Sequence, residues 1–179
     1  MPATRAGEQV RLDTFPVGKL KGVGAIWAFT AVDVATRWTV ARLITGENTD
    51  EAAAGFLRQL AHALGAVRVE LTGIRTDRGP EFTGRAFRTA AAELGLRHHL
   101  CPPNHHAVVE RFQGTVSHEF SRPFFHRGYV DDLAILDAAF QRWIGHCNRD
   151  RANHGAAQSP NCAPCVTAHL NPRPKAMGL

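Results

Sequence analysis

Apolar and polar positions alternate along Gln9-Val-Arg-Leu-Asp-Thr-Phe15, the two-residue period of a strand, until Phe15-Pro16 and then Gly18-Lys-Leu-Lys-Gly22 interrupt it. Val23 to Val34 is a longer, almost wholly apolar run rich in β-branched and aromatic residues, as expected of a central strand. Asp33-Val-Ala-Thr36 carries turn chemistry, and Arg37 to Thr45 alternates again. Three strands joined by short turns predict an antiparallel meander. In this reading Asp13 ends the first strand and Asp33 stands near the end of the second.

The period then lengthens. Asn48-Thr-Asp-Glu51 offers an N-cap acceptor with a glutamate three residues on, and Ala53, Phe56, Leu57, Leu60 and Leu64 follow at helical spacing until Gly65. Val67 to Thr76 reads as a fourth strand, closed by Gly79-Pro80. Pro80 to Leu94 reads as a second helix with Phe87, Ala90, Ala91 and Leu94 on one face and Gly95 as its stop. Leu96 to Leu100 is a short fifth strand, and Pro102-Pro103-Asn104 forces an irregular loop. In the helix predicted over His105 to Phe120, Val109, Phe112, Val116 and Phe120 make a core stripe, with Glu110, Gln113, Gly114 and Ser117 on the adjacent polar face. A last helix spans about Val130 to Cys147, and beyond Arg151 the pattern dissolves. The order β-β-β-α-β-α-β-α-α predicts an α/β fold, a mixed five-stranded sheet with helices on both faces.

Composition adds the class of partner. A chain of 179 residues suits one domain with a real core. Its 21 Lys and Arg against 16 Asp and Glu give a net charge of +5, which favours a polyanionic partner. Residues 141–179 hold five Arg or Lys against Asp150 alone, either a solvated basic tail or a nucleic-acid surface. No apolar run approaches the roughly 18 residues of a membrane span. There is no signal-peptide pattern either, so a cytoplasmic protein with no membrane contact is expected. Cys101, Cys147, Cys162 and Cys165 are too few and too unevenly placed for a disulfide framework, and reduced thiols are expected.

Asp77 falls at the carboxyl end of the fourth strand, the edge of an open α/β sheet where reacting groups gather. An Asp before Gly-Pro is equally a turn residue. Asp13 and Glu110 alter that balance. Phosphodiester hydrolysis or transfer needs a divalent ion, or a pair, to activate the attacking oxygen and neutralise the leaving one. Magnesium prefers hard oxygen ligands and keeps much of its water, so two or three carboxylates at one sheet edge suffice. Asp13, Asp77 and Glu110 are therefore candidate metal ligands, the alternative being three solvated surface carboxylates.

Asp13-Thr-Phe, Thr30-Ala-Val-Asp-Val-Ala-Thr-Arg-Trp38, Thr76-Asp-Arg-Gly-Pro-Glu-Phe82 and Val108-Val-Glu-Arg-Phe-Gln-Gly-Thr115, followed by Asn153-His-Gly155, together resemble the integrase catalytic core of bacterial insertion-sequence transposases, relatives of retroviral integrases. The resemblance covers about residues 8 to 155, between a polar extension at 1–7 and an irregular basic tail at 156–179. It implies a ribonuclease H-like fold whose Asp-Asp-Glu (DDE) triad binds two Mg²⁺ or Mn²⁺ ions, cleaves a DNA strand end with water and joins the 3′ hydroxyl to target DNA. Carried over by motif, Asp13, Asp77 and Glu110 are the triad, and Asp33 is a structural turn residue outside it. Arg78 and Arg111, each beside a triad carboxylate, are the expected DNA-backbone contacts. The resemblance also implies a homo-oligomer.

The sequence departs from the family in three places. The 32 residues 78–109 between Asp77 and Glu110 are fewer than usual, the shortfall falling in Cys101-Pro-Pro-Asn-His-His-Ala107. Ala156 to Cys165 replaces the usual Arg-rich stretch. Only twelve residues precede Asp13, so a core without its own helix-turn-helix domain is expected. These departures keep open a catalytically impaired remnant that retains the fold and nucleic-acid binding, whereas the Val-Glu-Arg-Phe and Asn-His-Gly signatures point away from a ribonuclease H-like nuclease. Cys162-Ala-Pro-Cys165 with His146, Cys147, His154 and His169 does not reproduce a complete zinc motif. His98, His99, His105 and His106 read as exposed loop residues, with phosphate or adventitious metal contact as the alternative. Trp27, Trp38 and Trp143 read as core.

Overall fold

A computed structural model describes residues 5–102, 107–126 and 132–150, with nothing specified for the side chains of Ala107 and Val108. Five strands form one mixed sheet in the order β3-β2-β1-β4-β5. They are β1 (Val10–Leu20), β2 (Gly24–Asp33), β3 (Thr39–Thr45), β4 (Gly73–Thr76) and β5 (Arg97–Leu100). The first three make the predicted antiparallel meander; β4 lies parallel to β1, and β5 parallel to β4. The α/β class, the five strands and their mixed directions are as the sequence predicts.

β1 is longer than its alternation implies. Its pairing with β2 runs from Val10↔Asp33 to Leu20↔Gly24, with a register shift between Pro16 and Gly18. Proline lacks the ladder N–H, and a bulge absorbs that loss without ending the strand. Asp13 consequently stands inside β1 rather than at its end. The fourth strand is shorter than its apolar run, and Thr72 instead donates its N–H to the Gly7 carbonyl at 2.9 Å.

Two apolar layers flank the sheet. On one face Val10, Leu12, Phe29, Ala31 and Ile74 pack under α1 (Asp50–Ala66) and α3 (Arg85–Glu93), around Phe56, Leu57, Leu60, Phe82 and Phe87. On the other, Val17, Leu20, Ile26, Ala28, Ala41 and Leu43 meet Val116, Phe120, Leu136 and Phe140. These last residues come from a helix that begins as α4 (Ala107–Thr115), widens into a π-helical stretch at Val116–Ser121 and continues as α5 (Arg122–His126), and from α6 (Leu133–Arg149). Helices therefore cover both faces. Trp27, Trp38 and Trp143 are half-buried, the last two packed on the two cores.

The helix predicted over Pro80 to Leu94 is two helices, α2 (Pro80–Thr83) and α3, broken at Gly84. A Cβ at Gly84 would collide with the Asp50 side chain, and Asp50 Oδ2 accepts the Ala86 N–H at 2.8 Å. The start of α1 thus caps α3 across space. The N-cap of α1 is Thr49, whose hydroxyl accepts the Ala52 N–H, leaving Asn48 free for another task. Asp33 is buried and accepts from the N–H groups of Gly7 and Thr36 and from the Thr36 hydroxyl, the structural turn role expected of it. Cys101 and Cys147 are buried and reduced, as expected. His105, His106 and the region holding Cys162 and Cys165 lie outside the described residues. Among the described residues no helix is long and apolar enough to cross a membrane.

Candidate active site

Strand pleating sets the first carboxylate. Val10 and Leu12 face the α1–α3 core, so Arg11, Asp13 and Phe15 face the other way, and Phe15 packs against the second core. Asp13 is half-buried. Its Oδ1 accepts the Thr14 N–H at 2.8 Å, and the Thr30 hydroxyl on β2 donates to its carbonyl at 3.2 Å.

Asp77 follows the last residue of β4. The parallel register pairs Val10 with Ile74 and Arg11 with Arg75. The ladder ends there, and Asp13 and Asp77 each stand two residues past its last pair. Asp77 Oδ1 accepts the Gly79 N–H at 2.9 Å, so the residue is also the turn former that its Gly-Pro context offered. Thr76 donates its hydroxyl to the Asp77 carbonyl at 2.8 Å and lies 2.9 Å from His98 Nε2. With that hydroxyl proton committed, the His98 Nε2–H is the donor to Thr76. Burial, then the neighbouring His99, lowers the His98 pKa. His98 is a half-buried strand residue edge-on to Phe87 rather than an exposed loop residue; His99 is exposed, also on β5.

Glu110 stands exposed on α4. One turn later on the same face, Gln113 Nε2 donates to Asp13 Oδ2 at 2.8 Å. That bond ties the polar face of α4 to the middle of β1. The Asp13, Asp77 and Glu110 side chains nevertheless do not close into a ligand set: among the described residues no three His, Cys, Asp or Glu groups are placed to hold a metal ion. One Asp13 oxygen is instead taken by the Gln113 amide. In chemistry the donor set still fits a hard cation: accessible carboxylate oxygens, no sulfur, with one on β1 and one just past the end of the neighbouring β4.

Sequence reasoning passed over a fourth carboxylate. Glu81 is buried, accepts from Asn48 Nδ2 at 3.1 Å, and its Oε2 lies 2.5 Å from where a Gly79 Cβ would sit, a point 3.1 Å from Asp77 Oδ1. It stands inside the Thr76–Phe82 motif, but a glutamate at a helix start ordinarily reads as a dipole partner. Of the predicted DNA contacts, Arg78 and Arg111 are both exposed, beside Asp77 and Glu110 respectively. Burial lowers the pKa of the Arg37 guanidinium, with repulsion from Arg111 and Arg11 adding to it and Asp33 opposing.

Comparison with known proteins agrees with this architecture. Residues 3–106, more than half of the chain, match the family described as "Integrase core domain". The "Insertion element IS476 uncharacterized 39.2 kDa protein" of Xanthomonas euvesicatoria is 30% identical over 90 residues, which is 49% of this chain and 25% of that protein. The chain thus spans about a quarter of the length of this curated relative. A chain of the simian T-cell lymphotropic virus intasome, solved in complex with PP2A regulatory subunit B56 gamma, superposes with a TM-score of 0.71 at 18% identity, over 100% of this chain and 59% of the other. The HTLV-2 integrase catalytic core domain, solved in complex with magnesium in a dimeric form, gives 0.66 at 18% identity, over 84% and 92%. These neighbours share the ribonuclease H-like fold.

Proposed function

The chain belongs to the integrase core domain family, and from that premise we propose that it is the catalytic core of a DNA transposase, a metal-dependent polynucleotidyl transferase that cleaves a DNA strand end and joins the 3′ hydroxyl to target DNA. The observation that carries this reading is the Gln113–Asp13 bond, because it brings the α4 face bearing Glu110 to β1, the strand that pairs with β4 just ahead of Asp77. Asp13, Asp77 and Glu110 are the residues that would hold two divalent ions, Mg²⁺ or Mn²⁺. Bound there, such a pair supplies activation of the attacking oxygen and neutralisation of the leaving one. Gln113 orients the Asp13 carboxylate, and the Gly79 N–H fixes one oxygen of Asp77. Exposed Arg78 and Arg111 flank the carboxylates and neutralise neighbouring phosphates. Division of the chain into a core at 8–155 with flanking extension and tail is part of the same reading. So is self-association, for which the dimeric form of the HTLV-2 core is the precedent.

The test is Mn²⁺-dependent nicking of duplex DNA by the purified chain. Several kcal/mol of transition-state stabilisation depend on metal ligation, so Asp77→Asn should lower the rate by roughly 100-fold or more. Nicking that survives this change sinks the triad. A second reading, a remnant that binds DNA without cutting it, is favoured by the lack of a three-ligand group among the described residues. Metal-independent DNA binding with no Mn²⁺ uptake by calorimetry, with or without DNA, would establish it.

A further inference from the structure

Guanidinium groups normally face carboxylates or water. Four on this molecule come from separate elements and lie within electrostatic reach in succession, Arg75 on β4 to Arg11 on β1 to Arg37 between β2 and β3 to Arg111 on α4, with Cys101 near Arg11 and Asp33 near Arg37 acting the other way. Arg11 and Arg75 are register partners, and Arg75 is in turn paired with His99 on β5. Strand spacing therefore sets the three in one row, about 4.8 Å from chain to chain, on the face opposite Ile74. Arg37 lies within electrostatic reach of both Arg11 and Arg111.

Two atoms mark the centre of this group. Arg11 Nε and Arg37 Nη1 are buried and have no hydrogen-bond partner among the described residues. A buried donor without an acceptor opposes folding, and neighbouring like charges add to that cost. Arg37 also adopts φ 64°, the left-handed region that side chains other than Gly, Asn and Asp occupy reluctantly. Asn in its place would serve the turn better. Strain, repulsion and an orphaned donor at one residue are what a site built for a ligand looks like before the ligand arrives.

We propose that Arg11, Arg37 and Arg111, extended along the sheet by Arg75 and His99, form a binding site for a backbone phosphate of the DNA strand, roughly 7 Å along β1 from Asp13. This rests on the transferase reading above. Guanidinium forks match phosphate oxygens in pairs, so one phosphodiester meets the outward N–H groups of these half-buried arginines, above the enclosed Arg11 Nε and Arg37 Nη1, and screens the charges from one another. A strand crossing the Asp13–Asp77 edge and continuing along β1 would place an adjoining phosphate here, holding the scissile bond in register with the carboxylates.

The test separates this site from catalysis by working in EDTA. Binding of a fluorescein-labelled 20-base-pair duplex, followed by anisotropy across salt concentrations, should lose about 0.9 from the log–log slope in the triple variant Arg11→Gln/Arg37→Asn/Arg111→Gln, as expected for one phosphate contact removed. Arg58→Gln, which removes the exposed partner of Glu93, should keep the wild-type slope. Inorganic phosphate should raise the melting temperature of the wild type more than that of Arg11→Gln or Arg37→Asn, and without phosphate both variants should melt at or above the wild type. Unchanged slopes overturn the proposal, as does an Arg37→Asn variant that melts lower, which would make the arginine structural. A phosphate response with unchanged DNA slopes would mean a small-anion site and overturn the DNA assignment. Wild-type nicking alongside unchanged slopes removes this site and leaves the transferase; altered slopes without nicking sustain the site and remove the transferase.

Discussion

Asp13 and Asp33 sit on neighbouring strands but do different work, and solvent is what separates them. Asp33 is 2% exposed and accepts three hydrogen bonds, from Gly7 N–H at 3.0 Å, Thr36 N–H at 2.8 Å and the Thr36 hydroxyl at 2.6 Å. Bonds to a charged acceptor contribute about 1.5–3 kcal/mol each, and truncation leaves buried donors unpaired. Asp33→Ala should therefore cost about 2–4 kcal/mol in urea unfolding, and Asp13→Ala, at a half-exposed site, far less. Equal losses would contradict the division of roles. His98 gives the pH prediction. Its folded pKa lies below the ordinary value of about 6.5, so below that pH the unfolded chain takes up the proton first. Stability from neutral His98 is present above pH 6.5 and is lost as pH falls through the lower folded value. Melting curves should show wild-type stability declining from pH 7 to 5 more steeply than that of His98→Asn.

At the scale of elements, the Asp77 loop is held from outside by the start of α1. Asn48 donates to buried Glu81, Asp50 caps α3 at Ala86, and Gly84 leaves room for Asp50. Asn48→Ala leaves a buried carboxylate short of a donor and should cost about 1–3 kcal/mol. Because the loop carries Asp77, Mn²⁺ affinity measured by calorimetry should fall alongside; unaltered affinity would confine the clamp to stability. The sequence marks the helix start correctly, since Asn-Thr-Asp-Glu is capping chemistry in either register. Which of Asn48 and Thr49 becomes the cap is settled by Glu81, a residue 33 positions away. The predicted single helix from Pro80 likewise breaks at Gly84 for a reason held by Asp50 and by nothing local. Conversely, the π-helical stretch at Val116–Ser121 has no local signal, and its Val116 and Phe120 still fill the core positions that helical spacing assigns them.

For the whole molecule, β1 is the organising element: it lies at the centre of the sheet, carries Asp13, and receives α4 through Gln113 across 100 residues. Removing an outer partner that orients a metal-binding carboxylate typically costs about 10–100-fold in metal affinity or activity. Gln113→Ala should show a loss in that range in Mn²⁺ binding with little change in melting temperature; a large fall in melting temperature would recast Gln113 as a structural tie. Alternation and helical spacing, being properties of neighbouring residues, were enough by themselves to determine the strand and helix order, the two core stripes and the carboxylates worth examining. Strand register, the bulge that carries β1 past Pro16, the pairing of Asp13 with Gln113 and the gathering of Arg11, Arg37, Arg75 and Arg111 were decided only by tertiary structure. Each joins residues far apart in the chain, and a contact of that kind exists only once packing has brought its two sides together.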